Sequence, residues 1–396
     1  MKQIKVPFFR PSLHQDEVDE VVSTLRSGWL TSGPHVSRFE REFAAAVGGE
    51  TAVAVNSGTA ALHLAVEAFG LKAGQSVLVP TMTFAATAEV VRYQGAVPIL
   101  VDVDPQTLNL DLADAARRLR DSKQKVVGIM PVHVGGAMMN LQDVQRFATR
   151  HKLWIVEDSA HAFPSGWRQS DHDAWQYRSN GSRSISCYSF YANKTITTGE
   201  GGMAVTNNPK LARRMKLMSL HGLSHDAWNR YDSNGHWDYK IVAPGFKYNL
   251  TDIAAAIGIH QLNRAEDMRA ERERIANRYF NELASVDAVE LPALDESRSP
   301  SWHLFAIRLK LRQLKINRDA FIKELKEHGV GCSVHWRPLH LHPYYQKTFG
   351  YRASDLPVAT AEWKRLISLP IFPGMRDDEI SHVIEVVRRL CSRYAR

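Results

Sequence analysis

Cysteine is scarce in this chain. Three occur, Cys187, Cys332 and Cys391, odd in number and far apart. They form no cluster for a zinc or iron–sulfur site, so no metal is expected, and they fit a reducing compartment, the cytoplasm. Long apolar runs are also missing: nothing approaches the roughly 18 residues that cross a bilayer, so no membrane partner is expected. The first residues, Met1-Lys2-Gln3-Ile4-Lys5-Val6-Pro7, are charged and meet a proline before any apolar stretch, unlike a secretory signal. No G-x-G-x-x-G follows the strand-like run at 52–55, and no G-x-x-x-x-G-K-[ST] occurs, which argues against a dinucleotide fold and a P-loop. The formal charge is +8, yet no long Lys/Arg block interleaves with aromatics. Anionic metabolites therefore fit the basic surface better than nucleic acid, which is not expected as a partner.

What is present is the composition of a globular protein, 44% hydrophobic and 23% charged, with length for two or three domains. Short apolar runs at 52–55, 76–80, 97–104, 126–132 and 154–158 alternate with helical spacings. Such alternation predicts an α/β domain whose mostly parallel sheet is flanked by helices, with ligands at the carboxyl ends of the strands. We expect an N-terminal arm over 1–14, a large domain over 15–265 and a smaller C-terminal α+β domain over 266–396. A long helix is expected from 252 to about 283, then strands at 302–309 and 330–336, and helices at 318–328 and 376–394. The polar stretch 164–183 reads as a loop over the site, and 221–245 as a functional or flexible loop.

Three features sit at such strand ends. Ser57-Gly58-Thr59 opens a helix directly after a strand, which suits either an anion site or a plain N-cap. Asp158 closes the strand 154–158. Lys194 lies between an aromatic segment and Gly199-Glu200-Gly201-Gly202; on this stretch alone the exposed loop lysine is the favoured reading, but a buried one would be a nucleophile near neutral pH. A phosphate cradle, an acid and an amine are together what pyridoxal phosphate requires. Trp29 and Thr31 belong to a hydroxyl- and glycine-containing loop, either a connector or a substrate-facing segment.

The resemblance extends over about residues 6–390. Its fragments run from Ser27-Gly28-Trp29-Leu30-Thr31-Ser32-Gly33-Pro34 through Asn56-Ser57-Gly58-Thr59, Pro80-Thr81-Met82-Thr83-Phe84 and Glu157-Asp158-Ser159-Ala160-His161 to the lysine stretch. They continue with Lys247-Tyr248-Asn249-Leu250-Thr251-Asp252, His335-Trp336-Arg337-Pro338-Leu339-His340 and Leu369-Pro370-Ile371-Phe372-Pro373. In this set the chain resembles the DegT/DnrJ/EryC1/StrS family of nucleotide-sugar aminotransferases.

That resemblance implies the aspartate aminotransferase-like fold (PLP fold type I). It implies Lys194 as the covalent anchor and proton carrier, and Asp158 at the pyridine nitrogen. Phe84 would stack on the ring face, Gly58, Thr59 and Ser189 would hold the phosphate, and His161 would stand near the phenolic oxygen. Asn249 would reach the phosphate in a neighbouring subunit, hence a homodimer with shared sites, although a helix cap would also explain it. Trp29, Thr31, Lys247, His335 and His340 are candidate substrate contacts. The implied reaction uses pyridoxal phosphate, with pyridoxamine phosphate as its alternate form, and takes an amine from an amino acid, L-glutamate, to a nucleotide-linked keto-sugar. The loop with Leu220-His221-Gly222-Leu223 and Asp226-Ala227-Trp228, followed by Ala243-Pro244-Gly245-Phe246-Lys247-Tyr248-Asn249, looks most similar to the branch acting at C4 of UDP-sugars, including the UDP-4-amino-4-deoxy-L-arabinose aminotransferase of lipid A modification. Arg337-Pro338-Leu339-His340 follows the general pattern instead. Lys247, Arg230 and Arg337 could meet a diphosphate or be solvated surface residues. C3 amination of a dTDP- or GDP-keto-sugar and a non-catalytic regulatory relative are the alternatives. The presence of Lys194 argues against the sugar dehydratases, which carry histidine there.

Overall fold

The computed structural model describes residues 4–223 and 240–396. Helices α1 (Gln15–Ser27) and α2 (Pro34–Ala46) come first. Then β1 (Thr51–Val55), α3 (Gly58–Ala68), β2 (Gln75–Pro80), α4 (Ala85–Tyr93), β3 (Val97–Val101), α5 (Leu112–Asp121), β4 (Lys125–Ile129), α6 (Leu141–His151) and β5 (Trp154–Asp158) alternate. A two-residue β6 (Gly166–Trp167) precedes β7 (Ser184–Ser189), β8 (Gly202–Thr206) and α7 (Pro209–Met218).

Among the described residues all of these strands except β6 build a seven-stranded sheet in the order β1-β8-β7-β5-β4-β2-β3. All neighbours from β7 to β3 run parallel, and β8 runs antiparallel to both β7 and β1. Side chains alternate between faces, as the two-residue repeat of a strand requires. Val77 and Val79 pack with α3 and α4 residues such as Leu64 and Val90, while Leu78 joins Ile129, Ile155 and Val144 on the other side. A sheet buried on both faces explains the near-continuous apolar strands.

The chain continues through α8 (Asp252–Asn263), α9 (Ala265–Leu283), β9 (Val289–Glu290), β10 (Arg298–Ser299) and β11 (Phe305–Leu309). It closes with α10 (Arg318–Glu327), α11 (Pro343–Phe349), α12 (Pro357–Trp363), β12 (Leu366–Leu369) and α13 (Asp377–Arg393). The antiparallel sheet β12-β11-β9 and helices α9, α10 and α13 share a core around Tyr279, Phe305, Phe321 and Val387. Val6 is part of that core: its N–H donates to Gly329 O at 2.8 Å, and Gly331 N–H donates back at 2.8 Å. The N-terminal segment is thus stitched to the C-terminal part before it crosses to α1.

Three expectations need correction. The helix expected over 252–283 breaks at Arg264, whose φ of −102° and ψ of 6° leave the helical region. The strand expected over 330–336 forms only two isolated bridges, Val6 to Val330 and Ser333 to Ser368, so its two ends pair with different partners, the N-terminal segment and β12, and no continuous ladder forms. The stretch 164–183 does not cover the site. It packs Trp167 and Arg178 into the interior and uses Ser179 to bind Glu157. No helix among the described residues is long and apolar enough to cross a membrane.

Candidate active site

A cavity of about 380 Å³ opens at the carboxyl edge of the large sheet. One wall is the turn from β1 into α3. Ser57 caps the helix, its Oγ accepting from Ala60 N at 3.0 Å. Gly58 and Thr59 follow in the first turn, whose free N–H groups and helix dipole favour an anion. The end of β7 lies directly against them: a Cβ on Gly58 would come within 2.8 Å of Ser189 Cβ. Glycine is therefore the residue that lets the Ser189 hydroxyl join those amides. Gly202, at the start of β8, makes a similar close approach, since a Cβ there would sit 2.4 Å from Ser57 O.

Asp158 ends β5 and lines the same cavity, 6% exposed. Its Oδ2 accepts from Thr87 Oγ1 at 2.7 Å and its Oδ1 from Ala160 N at 3.1 Å. Thr83 Oγ1 in turn meets Thr87 Oγ1 at 2.6 Å. The adjacent Glu157 points to the opposite face, where Ser179 and Ser186 bond to it. Burial pushes Glu157 up, but His133 and these bonds outweigh it and hold the carboxyl near 2.

Lys194 stands on the connection between β7 and β8. That loop is fastened by hydroxyls, which explains its threonines: Thr197 Oγ1 donates to Phe190 O at 3.1 Å, and Thr195 Oγ1 donates to Phe163 O. Burial brings the Lys194 amine down to about 8, although Asp158 pulls the other way. Three histidines surround it. His161, His303 and His335 are all depressed, first by burial and then by the Lys194 charge, His335 to about 4. His161 Nδ1 accepts from Gly135 N–H at 3.3 Å, which makes Nε2 the protonated nitrogen of the neutral ring. The Trp336 ring stacks on His161 with centroids 4.9 Å apart.

The cavity thus gathers Gly58, Thr59, Phe84, Asp158, His161, Ser189, Lys194 and His335. Phe84 is 63% exposed, at its mouth. His340 is a correction: it is fully buried away from the cavity, its Nδ1 2.8 Å from Thr81 Oγ1 and its Nε2 2.9 Å from Thr360 Oγ1. With both nitrogens engaged it anchors the loop rather than meeting a substrate. Trp29, Thr31, Lys247 and Asn249 also lie outside this cavity. Trp29 Nε1 donates to Ser32 O at 3.0 Å, and Thr31 O accepts from Asp252 N at 3.1 Å. Lys247 Nζ bonds to Asn249 Oδ1, and Asn249 Nδ2 donates to Ser32 Oγ at 2.8 Å. Arg337 lies over the Trp363 ring and donates to Leu341 O. Asp226, Ala227, Trp228 and Arg230 lie outside the described residues.

Thr87, Asn193 and His303 are site residues that sequence reasoning passed over. The threonine has the look of a first-turn helix residue and the histidine that of a strand residue, so neither carries a local signal. Asn193 Oδ1 and His303 Nδ1 are buried without a partner, which marks the wall as shaped for something polar. An anion cradle, an oriented carboxylate and a desolvated amine around one cavity fit the phosphate, ring nitrogen and aldehyde of pyridoxal phosphate.

Comparison with known proteins agrees. Residues 11–388 match the DegT/DnrJ/EryC1/StrS aminotransferase family. The spore coat polysaccharide biosynthesis protein SpsC of Bacillus subtilis is 42% identical over 385 residues, 97% of this chain and 96% of its own length. An uncharacterised protein of Methanocaldococcus jannaschii is 40% identical over 98% of both chains. Among solved structures, a putative sugar aminotransferase of Streptococcus pneumoniae, Spr1654, superposes with a TM-score of 0.88 in its PLP form, at 30% identity over 98% of this chain and 99% of its own. Its PMP form superposes with the same TM-score. The chain belongs to the DegT/DnrJ/EryC1/StrS aminotransferase family and is a pyridoxal-phosphate-dependent sugar aminotransferase.

Proposed function

We propose that the enzyme moves an amino group from L-glutamate to C4 of a UDP-linked keto-sugar, in the cytoplasm, giving an amino sugar for a surface glycan. The observation that carries the catalytic part is the meeting of Lys194 and Asp158 beside the α3 N-terminus. The glycan destination is supported by likeness to a protein of spore coat polysaccharide biosynthesis.

When bound, pyridoxal phosphate supplies an electron sink for the carbon that loses its proton. The chain's own residues do the rest. The amides of Gly58 and Thr59 and the Ser189 hydroxyl hold the phosphate. Asp158, kept in orientation by Thr87 and the Ala160 N–H, holds a proton on the ring nitrogen. Phe84 would cover a ring face from the mouth, and His161 would offer its Nε2–H to the phenolic oxygen. The Lys194 amine, about half neutral at pH 8 because it is buried, would take the proton from the donor's α-carbon and deliver it to the cofactor carbon that receives the amine. In the second half-reaction it would carry a proton from that carbon to the sugar carbon.

Asn249 and Lys247 would serve a second protomer. They are bonded to each other and do not line their own cavity, which is consistent with a shared homodimer site. His335 remains a candidate contact for the sugar from within the protomer, and Trp29 and Thr31 for a sugar bound next door.

The test is a panel of UDP-, GDP- and dTDP-linked keto-sugars with L-glutamate, scored by 2-oxoglutarate release and by the position of the new amine. Turnover confined to UDP-4-keto-sugars supports the reading. Amination at C3, or preference for another nucleotide, replaces it.

A further inference from the structure

His303 is 6% exposed and lines the cavity that holds Lys194. Its Nδ1 is buried without a hydrogen-bond partner. A buried polar atom in that condition is destabilising unless something satisfies it. The two other histidines differ: His161 Nδ1 is taken by Gly135 N–H and His335 Nδ1 by Ser368 Oγ at 2.9 Å.

The chain invests in aiming this ring. Trp302, the residue before it, has a φ of 49°, a conformation rare for a bulky side chain. The strain is held from all sides. Ser301 N donates to Ser165 Oγ at 3.0 Å, and Ser301 Oγ donates to His161 O at 2.6 Å. Leu304 N donates to Gly135 O at 3.2 Å, and the Trp302 indole is buried in the core around Tyr279 and Phe305. The turn places His303 against His161, ring centroids 4.2 Å apart.

The chemistry of the missing partner follows from the ring's charge. Burial and the nearby Lys194 keep His303 neutral, so Nδ1 is either a donor or an acceptor, according to tautomer. A carboxylate would satisfy only the first and an ammonium only the second. A hydroxyl satisfies both. Of the two substrates, the sugar is the one rich in hydroxyls. We propose that His303 Nδ1 hydrogen-bonds a ring hydroxyl of the acceptor sugar and so contributes to which sugar is accepted. This rests on the keto-sugar reading above.

The experiment compares the holoenzyme with His303→Phe, His303→Asn and His303→Gln, using a UDP-linked 4-keto-hexose and analogues lacking its 2- or 3-hydroxyl. Asparagine can place a polar atom where Nδ1 stands, and glutamine where Nε2 stands. The donor half-reaction is followed separately, without sugar, by the absorbance change of the bound cofactor. The expected result has three parts. The unmodified enzyme loses kcat/KM on the order of tenfold with one analogue. His303→Phe loses as much with the full sugar and no longer distinguishes that analogue, while its donor half-reaction falls by a smaller factor than its sugar half-reaction. His303→Asn recovers the discrimination and His303→Gln does not.

Unchanged discrimination in His303→Phe overturns the proposal, as does an equal loss in both half-reactions. Failure of His303→Phe to bind cofactor would move the comparison to His303→Asn against His303→Gln, where equal discrimination overturns it. If the unmodified enzyme aminates no keto-sugar of any nucleotide, the function reading falls and this inference with it.

Discussion

Thr87 Oγ1 donates a 2.7 Å hydrogen bond to Asp158 Oδ2. The donor lies on α4 and the acceptor at the end of β5, so the bond sets the direction of the carboxylate from outside its own strand. Thr83 sits behind it at 2.6 Å, making a short hydroxyl chain that ends on the acid.

Thr87→Val keeps the side-chain shape and removes that donor. Hydrogen bonds to charged groups contribute about 1.5–3 kcal/mol, so kcat/KM should fall by on the order of tenfold or more, with weaker cofactor binding. Steady-state kinetics and a cofactor titration check this; a variant equal to the parent in both would remove Thr87 from the site.

Lys194→Ala should abolish glutamate-dependent turnover and the absorbance of lysine-bound cofactor, while leaving the fold intact by circular dichroism. Retained transamination in that variant would contradict the assignment of the anchor.

The Lys194 amine has a folded pKa near 8, below its ordinary value of 10.5. Between those values the unfolded chain holds more protons than the folded one, so the cofactor-free protein should gain stability as pH rises from 8 towards 10.5. The gain is on the order of 3 kcal/mol. Other groups titrate in the same range, so urea unfolding of the parent is compared with Lys194→Met. The variant should lack that part of the slope; identical slopes would show that the amine is solvated.

Asp252 is 1% exposed, and its carboxylate accepts from Gly33 N at 2.8 Å, Val36 N at 2.9 Å and His35 N at 3.2 Å. It caps α2 from the start of α8. Asp252→Ala strands those amides and should destabilise the protein by about 2 kcal/mol, read as a lower urea midpoint at unchanged m-value.

The shared-site reading predicts complementation. A hybrid of one Lys194→Ala protomer and one Asn249→Ala protomer contains one site with both residues intact. Mixed and re-annealed variants should therefore recover activity that neither has alone, and no recovery would place Asn249 in a structural role.

Much of the site was legible because its chemistry is local. Gly58 and Thr59 announce themselves as a strand-to-helix turn, and Asp158 as a strand end. Lys194 gained meaning only from those two, being an ordinary loop lysine by itself. What stayed hidden depends on long-range contact: Thr87 finds Asp158 across 71 positions, and His303 approaches Lys194 from beyond α9. His340 misled for the reverse reason. It stands in a motif beside His335, but a short turn sends it into the interior. The helix break at Arg264 and the unformed strand at 330–336 belong to the same class, since packing partners decided them and local spacing did not.

The reversed direction of β8 has a mechanical consequence for the lysine. Two parallel neighbours need a return path along the whole sheet, usually through a helix, before the second can begin. An antiparallel neighbour begins where the first ends. The link from Ser189 to Gly202 therefore never leaves the catalytic edge, and both its anchor points are strands paired to each other. Lys194 rides on a tether whose two ends are held together, so in the proposed reaction its amine would swing between bond-making and proton-carrying positions while its base stays fixed.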